Sequence, residues 1–300
     1  MPAAEPELTV ARAVAGGRRR LREAGSPTPR LDAEVLLAHV LGRDRSWLLA
    51  HPEATVVEEQ AWSEALARRA GGEPVAYIRG FKEWRSLRIR TDPRALIPRP
   101  ETELLAEAAI DEIAARLTGD DAPVVAWDVA TGSGALGVAL ALRFRSALTL
   151  GRLRLVASDV SAEALELAAE NLEGHGVGSL VDLACTDLLE AAGGSLPRPD
   201  VVAANLPYVP RDEVEAATGS GAHEPCLALD GGTDGLDVLR RLLAELPDHL
   251  APGGAALLEI GAGQADAVRR AAPAGASVAA RRDLAGIERV VRIGTAGSAA

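Results

Sequence analysis

The decapeptide Val201–Pro210 runs four apolar residues into Asn205, Leu206, Pro207 and Tyr208 before closing on Val209 and Pro210. An asparagine side chain carries both an acceptor and donors. At the carboxyl end of a strand it can therefore grip a planar amide or amino group in a cleft. Pro207 fixes the exit of the chain, and Tyr208 places an aromatic ring beside it. That set suits methyl transfer to a nitrogen. A plain strand-to-turn junction uses the same residue types, so the choice rests on the residues upstream.

Asp128-Val129-Ala130-Thr131-Gly132-Ser133-Gly134 follows an apolar run and opens a helical pattern. Gly132 and Gly134 permit a tight turn and a close backbone approach, and the helix start offers free N–H groups. A dinucleotide site or a plain strand-to-helix loop has the same look. Asp159 ends the next strand-like run, about 25 residues past Gly134, where a carboxylate accepts hydrogen bonds from both ribose hydroxyls. Asp187 ends the third run, within reach of an adenine amino group, and Asn205 ends the fourth. Acidic residues at successive strand ends suit S-adenosylmethionine, with its cationic sulfonium and amino groups, better than a pyrophosphate. No metal is implied: Cys185 and Cys226 lie outside any metal-type cluster and read as buried free thiols.

These residues need a scaffold that brings strand ends together. From residue 100 onward, strand-like runs at Val124–Val129, Leu153–Ala157, Val181–Cys185, Val201–Ala204, Ala255–Ile260, Ser277–Ala280 and Arg289–Ile293 make seven strands. Helical patterns separate the early ones, at Glu101–Leu117, Ala135–Phe144, Ala162–Leu172 and Asp234–Leu246. The alternation predicts an α/β fold with a doubly wound, Rossmann-like sheet and a ligand at its carboxyl edge. Residues 1–75 read instead as short helices. Thr9 is placed to cap the first, Thr28-Pro29 to start the second, and Thr55 with Glu58 to form a capping box for the third. Leu87, Ile89 and Thr91 alternate as in a hairpin. The expected organisation is a small N-terminal helical domain at 1–75, a hairpin linker at 76–98 and a catalytic domain at 99–300.

The formal net charge is −11, and since residues 1–80 are balanced it falls wholly on residues 81–300. An acidic catalytic part argues against direct nucleic-acid binding. Arg18, Arg19, Arg20 and Arg22 cluster in the neutral part and read as the solvated face of a helix. No apolar run approaches the roughly 20 residues that cross a bilayer, and the N-terminus lacks a signal-peptide layout. The expectation is a cytoplasmic monomer. His223 and Glu224 read as a structural pairing, while Glu259, at a central strand's end, is left without a role.

Taken together, Leu96-Ile97-Pro98-Arg99-Pro100-Glu101-Thr102-Glu103, the Asp128–Gly134 turn, Asn205–Tyr208 and the stretch from His223 to Leu236 resemble the HemK/PrmC family of protein-(glutamine-N5) methyltransferases. The resemblance implies a class I methyltransferase sheet, S-adenosylmethionine as donor, and peptide chain release factors as partners. It implies methylation of the glutamine in their Gly-Gly-Gln motif. Carried over, Asn205 and the Leu206 carbonyl hold the glutamine amide, Tyr208 packs beside it, and Arg99 and Glu101 border the donor pocket. Two positions depart from the family: Leu206 replaces the first proline of Asn-Pro-Pro-Tyr, and Ala130 stands where the turn often has glycine. Asn-Leu-Pro-Tyr is also similar to the motif of adenine-N6 methyltransferases acting on RNA or DNA, which keeps that activity as the alternative. A donor-binding module without catalysis is the other, disfavoured by intact Asn205, Pro207 and Tyr208.

Overall fold

Val201–Ala204 is apolar at every position and Val124–Val129 at all but Asp128, as expected for parallel strands covered on both faces. In the computed structural model, which describes residues 7–119, 122–217 and 223–294, they form the middle of a seven-stranded sheet. The strands are β3 (Val124–Val129), β4 (Leu153–Asp159), β5 (Val181–Cys185), β6 (Val201–Ala204), β7 (Ala255–Glu259), β8 (Ser277–Arg282) and β9 (Glu288–Gly294). Their order is β5-β4-β3-β6-β7-β9-β8; the first five pair in parallel, and β9 runs antiparallel between β7 and β8. The chain leaves β3 toward β4 and β5, then returns to lay β6 and β7 on the other side. The carboxyl ends of β3 and β6 are thus the point where strand order reverses, and ligands of open α/β sheets bind there.

Each sheet face has its own core. Ala126, Leu155, Ala157, Val201 and Ala203 meet helices α6 (Thr102–Arg116) and α7 (Ala135–Arg143) on one side. Trp127, Val129, Val156, Val202 and Ala204 meet α11 (Asp237–His249) on the other. The alternation within β6 follows the two-residue repeat of a strand. Helix α9 (Ala162–Gly174) follows β4. A two-stranded hairpin, β1 (Phe81–Trp84) and β2 (Leu87–Arg90), turns on Arg85 and Ser86, both at positive φ as a two-residue hairpin turn demands.

Contacts divide the chain into two units, one comprising the chain up to Phe81 with Ala217 and His223, the other Lys82–Ala216 and the chain from Glu224. The first holds α1 (Val10–Glu23), α2 (Pro29–Val40), α3 (Arg45–Ala50), α4 (Glu59–Ala70) and α5 (Val75–Arg79) around Leu21, Leu36, Leu37, Trp62 and Leu66. Gly17 lets α1 approach α4, since a Cβ there would sit 2.7 Å from Trp62. A buried Asp32–Arg69 ion pair at 2.7 Å ties α2 to α4.

Several sequence expectations need correction. Thr9 caps α1 by accepting from Arg12 N, but Thr28 donates its hydroxyl to Asp32 instead of capping α2. The Thr55–Glu58 capping box does not form, because Thr55 donates to Glu7 and α4 starts only at Glu59. Tyr77 and Ile78, within the stretch expected as a hairpin linker, lie in α5. Both cysteines are free thiols, yet both are exposed: Cys185 ends the sheet-edge strand β5, in which Asp182 and Leu183 are exposed as well.

Candidate active site

A cavity of about 500 Å³ opens at the carboxyl ends of β3, β4 and β6, large enough for a nucleoside-sized ligand. The turn after β3 shapes one wall. Asp128 Oδ2 accepts from Thr131 Oγ1 at 2.6 Å and from Gly137 N at 2.9 Å, which satisfies a free donor at the start of α7. Gly132 N donates to Asp159 Oδ2 at 2.9 Å, joining the turn to the end of β4. Asp159 Oδ1 also accepts from Ser161 N, at the start of α9. Ala130 sits at φ 57° and Gly132 at φ 54°. The tightness of this turn therefore forces an alanine into the left-handed region, where the Cβ is strained.

Burial dominates the electrostatics here. It pushes the Asp128 carboxyl up to about 7, against the hydrogen bonds from Thr131 and Gly137. It raises Asp159 as well, with Ser161 and Gly132 opposing. Two carboxylates short of solvent beside an open cavity gain from a cationic ligand, because a positive charge restores what burial removed. The donor set fits S-adenosylmethionine on that ground: Asp128 and Asp159 would face its cationic groups and ribose hydroxyls. Asp187 also lines the cavity but is half-spent in an ion pair with Arg241 at 2.6 Å.

The opposite wall is built at the end of β6. Asn205, Leu206 and Pro207 line the cavity at the end of β6. Asn205 Nδ2 donates to Thr102 Oγ1 at 3.1 Å, and among the described residues none donates to its Oδ1. Arg99 reaches the cavity wall while paired with the buried Glu224, which also accepts from Ile97 N at 3.0 Å. Trp84 Nε1 donates to the Arg99 carbonyl at 2.9 Å. The Leu96–Glu103 block is thereby pinned at three points.

A family model of the PrmC N-terminal domain matches residues 12–80. A release factor glutamine methyltransferase of Bordetella pertussis is 42% identical over 266 residues, covering 87% of this chain and 93% of that protein. The Deinococcus radiodurans protein of the same name is 38% identical over 93% of this chain and 95% of its own. The chain belongs to the release factor glutamine methyltransferase family. The Koribacter versatilis member is 37% identical over 95% of this chain and 98% of its own length. Among solved structures, a ribosomal protein L11 methylase from Lactobacillus delbrueckii is 23% identical, with a TM-score of 0.45, covering 70% of this chain and 85% of that one. The fold assignment rests on the strand order, which is that of a class I methyltransferase.

Of the residues singled out from sequence, Arg99, Asp128, Thr131, Gly132, Asp159, Asp187, Asn205, Leu206 and Pro207 are brought together around the cavity. Glu101, Gly134 and Tyr208 are not among its lining residues. Gly134, at φ 77°, packs α7 on α9: a Cβ there would lie 2.9 Å from Ala168. The Tyr208 ring rests near Gly261, and burial together with the Glu259 charge pushes its phenol up. The His223–Glu224 reading resolves into two separate partners, Gly71 O for His223 and Arg99 for Glu224. Sequence reasoning missed Thr102, which holds Asn205, and Arg241, which holds Asp187. The signal for Thr102 was present in the Pro-Glu-Thr-Glu block, where a threonine opening a helix can present its hydroxyl to a strand end.

Proposed function

We propose that this protein transfers a methyl group from S-adenosylmethionine to the side-chain amide nitrogen of the glutamine in the Gly-Gly-Gln motif of peptide chain release factors. The observation that carries this reading is the Asn205 carboxamide at the cavity wall, with Nδ2 engaged by Thr102 and Oδ1 receiving no donor from the described residues. Asn205 Oδ1 and the Leu206 carbonyl accept the two N–H groups of the glutamine amide. Bound S-adenosylmethionine supplies an electrophilic methyl group on a cationic sulfur. Asp128, Thr131, Gly132, Asp159 and Asp187 hold the donor end of the cavity, and Arg99 borders it.

An amide nitrogen is a poor nucleophile because its lone pair is delocalised into the carbonyl. Accepting both N–H bonds pushes charge back toward nitrogen and stabilises the positive charge that develops there. Orientation supplies most of the gain, up to roughly 7–11 kcal/mol in well-ordered cases. Leu206 serves in place of proline because the contact uses a carbonyl, and a residue preceding Pro207 is held extended in any case. The proton leaves after transfer, from the strongly acidic methylated nitrogen, so no general base is required. Tyr208 supports the loop behind Asn205, its carbonyl accepting from Gln264 Nε2 at 3.1 Å.

The helical unit matched by the PrmC N-terminal domain is read as the part that recognises the release factor. A monomer acting in the cytoplasm, where release factors work, completes the reading. The test offers the purified protein labelled donor with a release factor or with ribosomal RNA. Label is expected on the release factor alone. Label on RNA adenine with none on the release factor contradicts the proposal.

A further inference from the structure

Thr102, Asn205 and Glu259 come from three neighbouring elements: the start of α6 and the ends of β6 and β7. Asn205 Nδ2 donates to Thr102 Oγ1 at 3.1 Å. Behind them Glu259 is 1% exposed, and neither of its oxygens receives a well-formed hydrogen bond from any of the described residues. A buried carboxyl group left this way is costly and calls for a role. The Thr102 hydroxyl is close enough to draw its pKa down through a loose contact. Burial outweighs that and raises Glu259 to about 7, with Glu101 pushing up and Arg289 and Arg99 pulling down. Tyr208 is the other titratable group that feels its charge.

A hydroxyl has one proton to give. When Thr102 gives it to Glu259, Oγ1 can only accept, so Asn205 must turn Nδ2 toward it and present Oδ1 elsewhere. When Glu259 makes no such demand, the hydroxyl can donate to Oδ1, and the carboxamide can turn over. A turned Asn205 would offer N–H donors to the N–H donors of its substrate. We propose that Thr102 and Glu259 are positioning residues that hold the Asn205 carboxamide with Oδ1 presented to the substrate amide. The proposal rests on the glutamine-methylation reading above.

Kinetics of the full chain with a release factor and saturating S-adenosylmethionine test it. Thr102→Val, which keeps the shape and deletes the hydroxyl, is expected to lower kcat about tenfold to a hundredfold through lost alignment while donor Kd stays unchanged. Thr102→Ser is expected to restore kcat to within about threefold, because the hydroxyl is restored. Wild-type kcat is expected to rise with pH as Glu259 ionises near 7. Glu259→Gln should abolish that rise and remain slow throughout. A Thr102→Val enzyme as fast as wild type, a Thr102→Ser enzyme as slow as Thr102→Val, or an unaltered pH profile in Glu259→Gln overturns the proposal. Nitrogen-edited NMR gives a readout without turnover, with the Asn205 side-chain amide signals assigned from their loss in Asn205→Ala. Their solvent exchange is expected to quicken in Thr102→Val, and equal exchange in the two proteins overturns the proposal. A wild-type enzyme inert toward release factors would dismiss the glutamine reading, leaving the positioning claim to be decided by the exchange data.

Discussion

Asp159 joins the turn after β3 to the start of α9 at the cavity wall, accepting from Gly132 N and Ser161 N while burial raises its pKa. Removing the whole side chain would orphan two backbone donors, so the informative change is Asp159→Asn, which keeps the size and one acceptor. Hydrogen bonds to a charged group contribute about 1.5–3 kcal/mol, so donor affinity should fall about tenfold to a hundredfold. With saturating donor, kcat should stay near the wild-type value, because Asp159 lies away from the Asn205 wall. Calorimetric titration with S-adenosylmethionine checks the first half; unchanged affinity would remove Asp159 from the donor site. Not every residue-scale role was legible in the sequence. The bond between Asn205 and Thr102 spans 103 positions, and the Asp187–Arg241 pair spans 54. No local pattern encodes such distances, whereas strand-end carboxylates announce themselves by following apolar runs.

The elements that carry the site follow from ordinary rules, and the turn after β3 is where one is broken. Ala130 at φ 57° holds a Cβ in the left-handed region, a strain of about 1–2 kcal/mol, partly offset because glycine would cost more entropy on folding. Ala130→Gly should therefore raise stability by about 0.5–1 kcal/mol in urea unfolding, while a loss of stability would mean the turn is not strained. Legibility varied among elements for physical reasons. The strands β3, β5 and β6 were placed to the residue: β6 is apolar throughout and stops at Asn205, its first polar residue, while β3 and β5 are short, mostly apolar runs that each tolerate one aspartate. The one-turn and two-turn helices α3 and α5, with Arg145–Thr149, Arg211–Glu215 and Ala265–Ala271, escaped notice because so few residues show no 3.6-residue period. The capping box failed because Thr55 found a better acceptor in Glu7, a contact no local motif foretells.

At the scale of the whole molecule, the raised carboxyls set a pH dependence of stability. Asp128 and Glu259 titrate near 7 when folded, against ordinary values of 3.8 and 4.5. The folded state therefore holds protons that the unfolded chain has released, and its stability falls as pH rises through that interval. Carboxylates held low by arginines, such as Glu34, Asp92 and Glu112, act the other way, but their contribution is complete above their ordinary range. Between about pH 5 and 8 the raised pair decides the sign, so thermal or urea unfolding should show the protein less stable at the upper end, and Glu259→Gln should lessen the drop. A stability that climbs across this interval would contradict the burial argument. The fold places Asp128 and Asp159 on the wall of one cavity with Asn205, where strand order reverses; the proposed function stands on that asparagine. Its most direct test is mass spectrometry of the Gly-Gly-Gln peptide from a release factor incubated with S-adenosylmethionine and either wild-type protein or Asn205→Ala. The account predicts one added methyl group on the glutamine with the wild type and almost none with the variant, donor binding being equal in both; comparable methylation by the variant would contradict it.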